Sequence, residues 1–223
     1  MLGRFYARPI AGVPEQLRDR LEIAPRNWSV ADCVEREPDL LVVMMNPGGS
    51  RPLASLWDAP ERIAGAAAAC DAGGGIAGQA PFVAAQPDRT QYQIMQLLLA
   101  AQAVGKPWNH ARVLNLSDLR TPKSALFIEK LGAYASDDSH SLFSQGREAE
   151  CATLFGVPAT PVLCAWGLSP HFAPWARRAL AAMAAHPILG LTSDGLAYRH
   201  PLPQRFDLQQ QWLADMGEQV AAL

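Results

Sequence analysis

Two segments of this chain join polar side chains to a constrained backbone: Asn46-Pro47-Gly48-Gly49-Ser50 and Tyr198-Arg199-His200-Pro201-Leu202-Pro203. An asparagine amide presents an acceptor and two donors in one plane, which suits the edge of a flat heterocycle. Glycines let backbone N–H groups approach a ligand, and an imidazole can donate to a carbonyl or a leaving group. Asn115 offers a second amide, and Trp166-Gly167 an aromatic surface beside a turn. Each residue also has a structural reading. Asn-Pro-Gly-Gly forms turns, Asn115 can cap one, and His200 can be a satisfied structural histidine. Trp166 reads more readily as core than as a stacking platform. The residue before a proline is biased to extended backbone, which projects His200 from its loop.

These residues need elements to hold them. Four apolar runs read as strands: 40–45, 112–116, 161–166 and 188–192. The first is Leu-Leu-Val-Val-Met-Met, continuous rather than alternating, as in a parallel strand covered on both faces. Helical patterns lie at 90–104, 141–155 and 174–186, with a last helix capped by Asp207 and running to about 221. Alternating strands and helices predict a single α/β domain over 1–223, a three-layer sandwich with a central, mainly parallel four-stranded sheet. Residues 1–38 are expected to pack around the sheet edge, and the Ala/Gly-rich stretch 64–87 to form a mobile loop. Ligands of open parallel sheets bind beyond the carboxyl ends of the strands. Reading past each run gives Asn46 to Ser50, then Asn115 with Asp118, Arg120 and Thr121, then Trp166-Gly167, then Arg199, His200 and Pro201. Asp118 and Arg120 read as a solvated turn pair, or Arg120 as a phosphate contact.

Composition bounds the function. The 223 residues are 49% hydrophobic and 18% charged, ordinary for a globular domain. A net charge of −2 provides no global positive field to draw in nucleic acid. The opening residues lack the character of a signal peptide, and no apolar run approaches the ~18 residues of a membrane span. A cytoplasmic monomer without a membrane partner is expected. Cys33, Cys70, Cys151 and Cys164 are scattered, and His110, His140, His171 and His186 lack ligand spacing, so neither a metal nor a cofactor is expected. No Gly-Lys-Ser/Thr follows the glycines at 73–78, and Ser50 lacks a G-x-S-x-G elbow.

The order of motifs resembles a bacterial and phage family, the domain-of-unknown-function family numbered 1643. Val42-Val43-Met44-Met45-Asn46-Pro47, Val113-Leu114-Asn115-Leu116 with Arg120-Thr121, Ala165-Trp166-Gly167, and Gly195 with His200-Pro201-Leu202 carry it, over roughly residues 38–205. The same order is similar to the uracil-DNA glycosylase superfamily. That likeness implies a uracil-DNA glycosylase-like fold in which Asn46 positions the attacking water, Asn115 reads the base edge and His200 donates to a base carbonyl. Pro47, Gly48, Gly49, Trp166, Gly167, Arg199, Pro201 and Leu202 would complete the substrate site, and the Pro201-Leu202-Pro203 loop would press on DNA. The chain also departs from the pattern. Met44 replaces a glycine, Asn46 is an amide rather than a general base, and Leu202 replaces a serine. Phe82 is the best candidate for an aromatic that stacks on the base. Two readings follow: a hydrolase of the N-glycosidic bond of a nucleobase in DNA or a nucleotide, or a non-catalytic nucleotide or nucleic-acid binding module. Arg51, Arg120, Arg199 and Arg205 could supply a local basic patch.

Overall fold

Leu40 to Met44 is apolar at every position because helices cover both of its faces, and it lies inside an eight-stranded sheet. A computed structural model describes residues 1–53 and 80–223. The chain opens with β1 (Leu2–Ile10), β2 (Val13–Ile23), a short helix α1 (Val30–Glu35), β3 (Leu40–Met44) and β4 (Arg51–Pro52). It continues through β5 (Phe82–Gln86), α2 (Arg89–Ala103), β6 (Ala111–Asn115), α3 (Ser124–Ala133) and α4 (Glu148–Leu154). The last elements are β7 (Val162–Ala165), α5 (Ala173–Ala182), β8 (Ile188–Leu189) and α6 (Phe206–Ala221).

The sheet order is β4-β5-β1-β2-β6-β3-β7-β8. The four runs expected as strands form β6, β3, β7 and β8, which pair in parallel. They are half of the sheet, so the expected four-stranded, mainly parallel sheet is corrected to a mixed one of eight. The other half is antiparallel: β1 pairs with β2 and β5, β5 with β4, and β2 joins β6 through Leu21 opposite Val113. Residues 1–38 therefore do not wrap an edge. They supply two central strands. Of the stretch 64–87, residues 64–79 lie outside the described residues, while 82–86 form a strand rather than a loop.

Alternation along the strands divides the core into two layers. Leu41, Val43, Leu114, Val162, Cys164 and Trp166 face α3, α4 and α5. Leu40, Val42, Met44, Val113, Leu163 and Ala165 face α2 and α6. A bulge at Asp19, between Arg18 opposite Phe5 and Arg20 opposite Arg4, shifts the alternation in β2. Leu17 thus belongs to the first layer and Leu21 to the second, although both are odd positions. The predicted helix at 141–155 begins only at Glu148, because the Ser141 hydroxyl accepts the Phe143 N–H (3.2 Å) and holds the preceding turns out of the helix. Asp207 does not cap α6; it lies inside the helix and pairs with Arg205.

The connection β3–α2–β6 runs to one side of β3 over one face. The connection β6–α3–α4–β7 returns past β3 over the other face. The ends of β6, β3 and β7 therefore flank a topological switch point, where such sheets bind ligands.

Candidate functional site

Pairing of β3 with β6 continues past both strands, with Leu116 N–H donating to Met44 O (2.7 Å) and Ser117 N–H to Met45 O (3.1 Å). This sets Asn46 beside the loop that leaves β6. Its amide Nδ2 donates to the carbonyls of Leu119 (3.2 Å) and Thr121 (2.8 Å), tying the two loops together. Its Oδ1 is buried with no partner among the described residues. Asn115, fully buried at the end of β6, donates from Nδ2 to Arg18 O (3.3 Å), and its Oδ1 is likewise unpartnered. The hydroxyls of Ser50 and Thr121 share this condition. Buried polar groups are nearly always hydrogen-bonded, so a run of unpaired ones at strand ends is a candidate for contact with a ligand.

Two residues that sequence reasoning missed stand in the same region. Arg18 is fully buried on β2, and its Nε, Nη1 and Nη2 have no partner among the described residues. Burial lowers its guanidinium to about 10, Asp88 opposes that shift and Arg120 adds to it. It remains a cation at neutral pH. Asp88 caps α2: its Oδ1 accepts from Thr90 N–H (2.8 Å) and Gln91 N–H (3.3 Å), while Gln91 Oε1 accepts the Asp88 N–H. The second oxygen, Oδ2, faces Gly48. Gly48 has φ +65°, and a Cβ there would lie 3.2 Å from that oxygen. A glycine at this turn thus admits a carboxylate against the Asn-Pro-Gly-Gly segment. The sequence Asp-Arg-Thr-Gln carries the signature of a capping box, the one signal that marks Asp88.

His200 is half-buried, and its Nδ1 accepts the Leu202 N–H (3.1 Å), which leaves the ring proton on Nε2. Burial lowers its pKa below the usual imidazole range, opposed by the Leu202 contact and by Asp88. At neutral pH it is a neutral donor. Asp88 is thus within electrostatic reach of both Arg18 and His200. His200, Arg199 and Gly167 line a cavity of about 470 Å³ against α6, together with Trp212. The Trp212 indole N–H is buried without an acceptor among the described residues. The backbone of this loop is held by Gly167 N–H to Tyr198 O (2.7 Å) and Arg199 N–H to Leu191 O (2.8 Å). Pro201 is buried and Leu202 half-buried, behind the histidine.

Other expected contributors are engaged elsewhere. Trp166 is a core residue: it is buried, donates from Nε1 to Leu196 O (3.0 Å), and meets Tyr198 edge-on at 5.0 Å. Phe82 lies on β5, in the antiparallel half, with the guanidinium groups of Arg4 and Arg20 at 5.5 and 5.3 Å from its ring centre. Its ring is taken by these cations. Arg120 donates to Ser50 O (2.7 Å) and Gln16 Oε1 (2.8 Å), bracing the Asn46 loop against β2. Asp118 is no solvated turn partner of Arg120. It is buried on the opposite face, bound by Arg147 and by the Tyr6 hydroxyl (3.3 Å). Burial, with Asp19 and Glu150 nearby, pushes its carboxyl up against the pull of Arg147. Met44 packs into the α2–α6 layer. Among the described residues no three His, Cys, Asp or Glu side chains gather as a metal site, Cys33, Cys151 and Cys164 are free and buried, and no helix is long and apolar enough to cross a membrane.

No family model matches the chain, and no curated protein or solved structure does so at a significant level.

Proposed function

We propose that this protein binds a nucleobase at the carboxyl ends of β3 and β6 and hydrolyses its N-glycosidic bond. The observation that carries the reading is the two buried amide oxygens, Asn46 Oδ1 and Asn115 Oδ1, left without partners among the described residues where β3 and β6 end. Asn115 Oδ1 accepts an N–H from the base edge. As the glycosidic bond breaks, its electron pair goes to the base, and His200 Nε2–H donates to the developing charge. A donor of this kind is worth about 3 kcal/mol. Water adds to the anomeric carbon. Asn46 Oδ1 accepts one of its hydrogens and orients it, and the carboxylate of Asp88 takes the proton that an amide cannot. A substrate in duplex DNA would have to be flipped from the stack.

One observation favours a non-catalytic binding module instead: the Asn46 amide is committed to joining two loops through Leu119 and Thr121. Free-base release measured by mass spectrometry separates the two. Single- and double-stranded DNA carrying uracil, mismatched thymine or deaminated purines, and the corresponding nucleotides, serve as substrates. Hydrolysis predicts release that is lost in His200→Ala and Asp88→Asn, and base affinity lost in Asn115→Ala with folding intact. Base binding without release from any substrate assigns the site to the binding module.

A further inference from the structure

Five arginines of the described chain are buried: Arg4, Arg18, Arg20, Arg112 and Arg147. Four have carboxylate partners, Arg4 with Asp19, Arg20 and Arg112 with Glu22, and Arg147 with Asp118. Arg18 is the exception. All three of its nitrogens are buried, and none has a partner among the described residues. A guanidinium removed from water and left unpaired is strongly unfavourable, so its retention in mid-β2, beside the end of β6, calls for a partner of opposite charge. Asp88 does not serve. The two form no ion pair, and the cap holds one Asp88 oxygen on the α2 N–H groups. Asp118 and Asp19 are taken by other arginines.

The surroundings carry both signs: Asp88, Asp118 and Asp19 favour the Arg18 charge, and Arg120 opposes it. Gln16 to Arg18 runs antiparallel to Asp118 to Arg120, with Arg18 N–H on Asp118 O (2.9 Å), Leu17 opposite Leu119, and Arg120 N–H on Gln16 O (2.9 Å). Leu17 and Leu119 turn to the α3–α5 layer. Phe5, which pairs with Arg18, belongs to the α2–α6 layer, the side on which Asp88 caps its helix. Arg120 is close enough to Arg18 to oppose its charge, and Arg51 does the same to Arg120. Three cations converge beside the Asn46 segment.

We propose that Arg18 is a ligand-binding residue whose guanidinium receives two oxygens of a phosphate group, with Arg120 and Arg51 extending the positive surface around it. A planar fork with paired donors matches phosphate geometry. The inference rests on the nucleobase reading only in naming the ligand a nucleotide. The phosphate is a monoester of a free nucleotide or a diester of a DNA strand.

The test is calorimetric affinity and thermal shift on the full chain with inorganic phosphate, deoxyuridine, dUMP and a short uracil-containing single strand. The wild type is expected to bind a phosphate-bearing probe at least about tenfold more tightly than deoxyuridine. Arg18→Met is expected to abolish that preference while raising the melting temperature of the free protein by a few degrees, because the unpaired buried charge is gone. Whether dUMP or the strand gains more identifies the source of the phosphate. Arg18→Lys keeps the charge without the fork and is expected to lose most of the preference; it is read in the same way where Arg18→Met does not fold. Equal affinity for deoxyuridine and both phosphate-bearing probes, undiminished preference in the variants, or no response to any phosphate would overturn the proposal. Deoxyuridine binding without a phosphate preference removes Arg18 and leaves the base site standing. A phosphate preference without base release keeps Arg18 and removes hydrolysis.

Discussion

Replacing Asn46 by aspartate exchanges an amide for a carboxylate and, on this geometry, makes the protein less stable. The amide Nδ2 donates to Leu119 O and Thr121 O in a site that is 5% exposed. A carboxylate there turns two attractive contacts into oxygen facing oxygen. Each lost bond removes about 1 kcal/mol, and the carbonyls and the buried charge left unsatisfied bring the total to about 3–5 kcal/mol. For a domain of this size each kcal/mol moves the melting temperature by about 2–4 °C, so Asn46→Asp should melt about 6–20 °C below wild type at pH 7. The deficit must depend on pH. Facing two carbonyl oxygens raises the new carboxyl above the ~3.9 of the unfolded chain. Between that value and the raised one, the folded state holds a proton that the unfolded state releases, so stability falls as pH rises through this window. Below about pH 4 both states are protonated, and the neutral acid can donate one of the two lost bonds. Asn46→Ala loses both bonds without adding charge and should show a deficit independent of pH. Thermal denaturation of the three proteins from pH 4 to 8 decides it. A wild-type melting temperature for Asn46→Asp, or a deficit equal at pH 4 and pH 8, would refute the role of this amide as the tie between the loops.

Two further outcomes follow from buried groups. His140 is fully buried, neither ring nitrogen has a partner among the described residues, and burial lowers it to about 4. The unfolded histidine takes a proton below about pH 6.5 while the folded one resists until about 4, so up to about 3 kcal/mol of stability should be lost as pH falls across that interval. His140→Leu should flatten this part of the wild-type curve; a variant with an unchanged acid slope places the loss elsewhere. Gly190 has φ +142°, and a Cβ there would lie 2.5 Å from Tyr198 Cδ1 and 2.7 Å from Cys164 O. Gly190→Ala should cost about 3 kcal/mol or more and displace Tyr198, and with it the loop that carries His200. Chemical denaturation with ligand affinity on the same samples tests this, and an alanine variant of unchanged stability would contradict the close approach.

The parallel half of the sheet was legible because Leu40 to Met44 and its partners are apolar without interruption, and chemistry is expected where such runs stop. Asn46, Asn115 and His200 were singled out as candidates in that way. The antiparallel half was not legible. The second strand reads Glu-Gln-Leu-Arg-Asp-Arg-Leu-Glu, a pattern of charge that looks solvated until its partners are known. Most of its charges are buried by pairing, Asp19 with Arg4 on β1, and Glu22 with Arg20 on its own strand, Arg112 on β6 and His110 just before β6 (2.6 Å), contacts that the order of residues along the chain does not show. The bulge at Asp19 also breaks the period of two that identifies a strand. Phe82 was misplaced for the same reason, since its strand exists only by pairing with β1 and β4. Trp166 shows the converse: a large aromatic at a strand end is decided by packing, and here Tyr198 and the Leu196 carbonyl hold it in the core.

The site draws on both halves because β6 is the seam between them, parallel to β3 on one side and antiparallel to β2 on the other. A strand that runs antiparallel to β6 starts where β6 ends, so β2 brings the middle of a hairpin, and Arg18 with it, to the carboxyl ends of the parallel strands. Asn115 marks the junction directly, since its amide donates across the seam to the Arg18 carbonyl. The two loops beyond the seam are locked by Asn46, and Arg120 bolts them to β2 through Gln16. Buried charge elsewhere in the molecule serves to fasten elements: Arg147 links Asp118 to Glu150 on α4, and Arg112 reaches the carbonyls at the end of α1. At the seam one arginine has no such role. The same side-chain types are buried, but Asn46 Oδ1, Asn115 Oδ1 and the whole Arg18 guanidinium are left without partners among the described residues. That the fold pairs its other buried arginines and leaves this one unpaired across the seam from Asn115 is the physical ground for the proposed ligand contact.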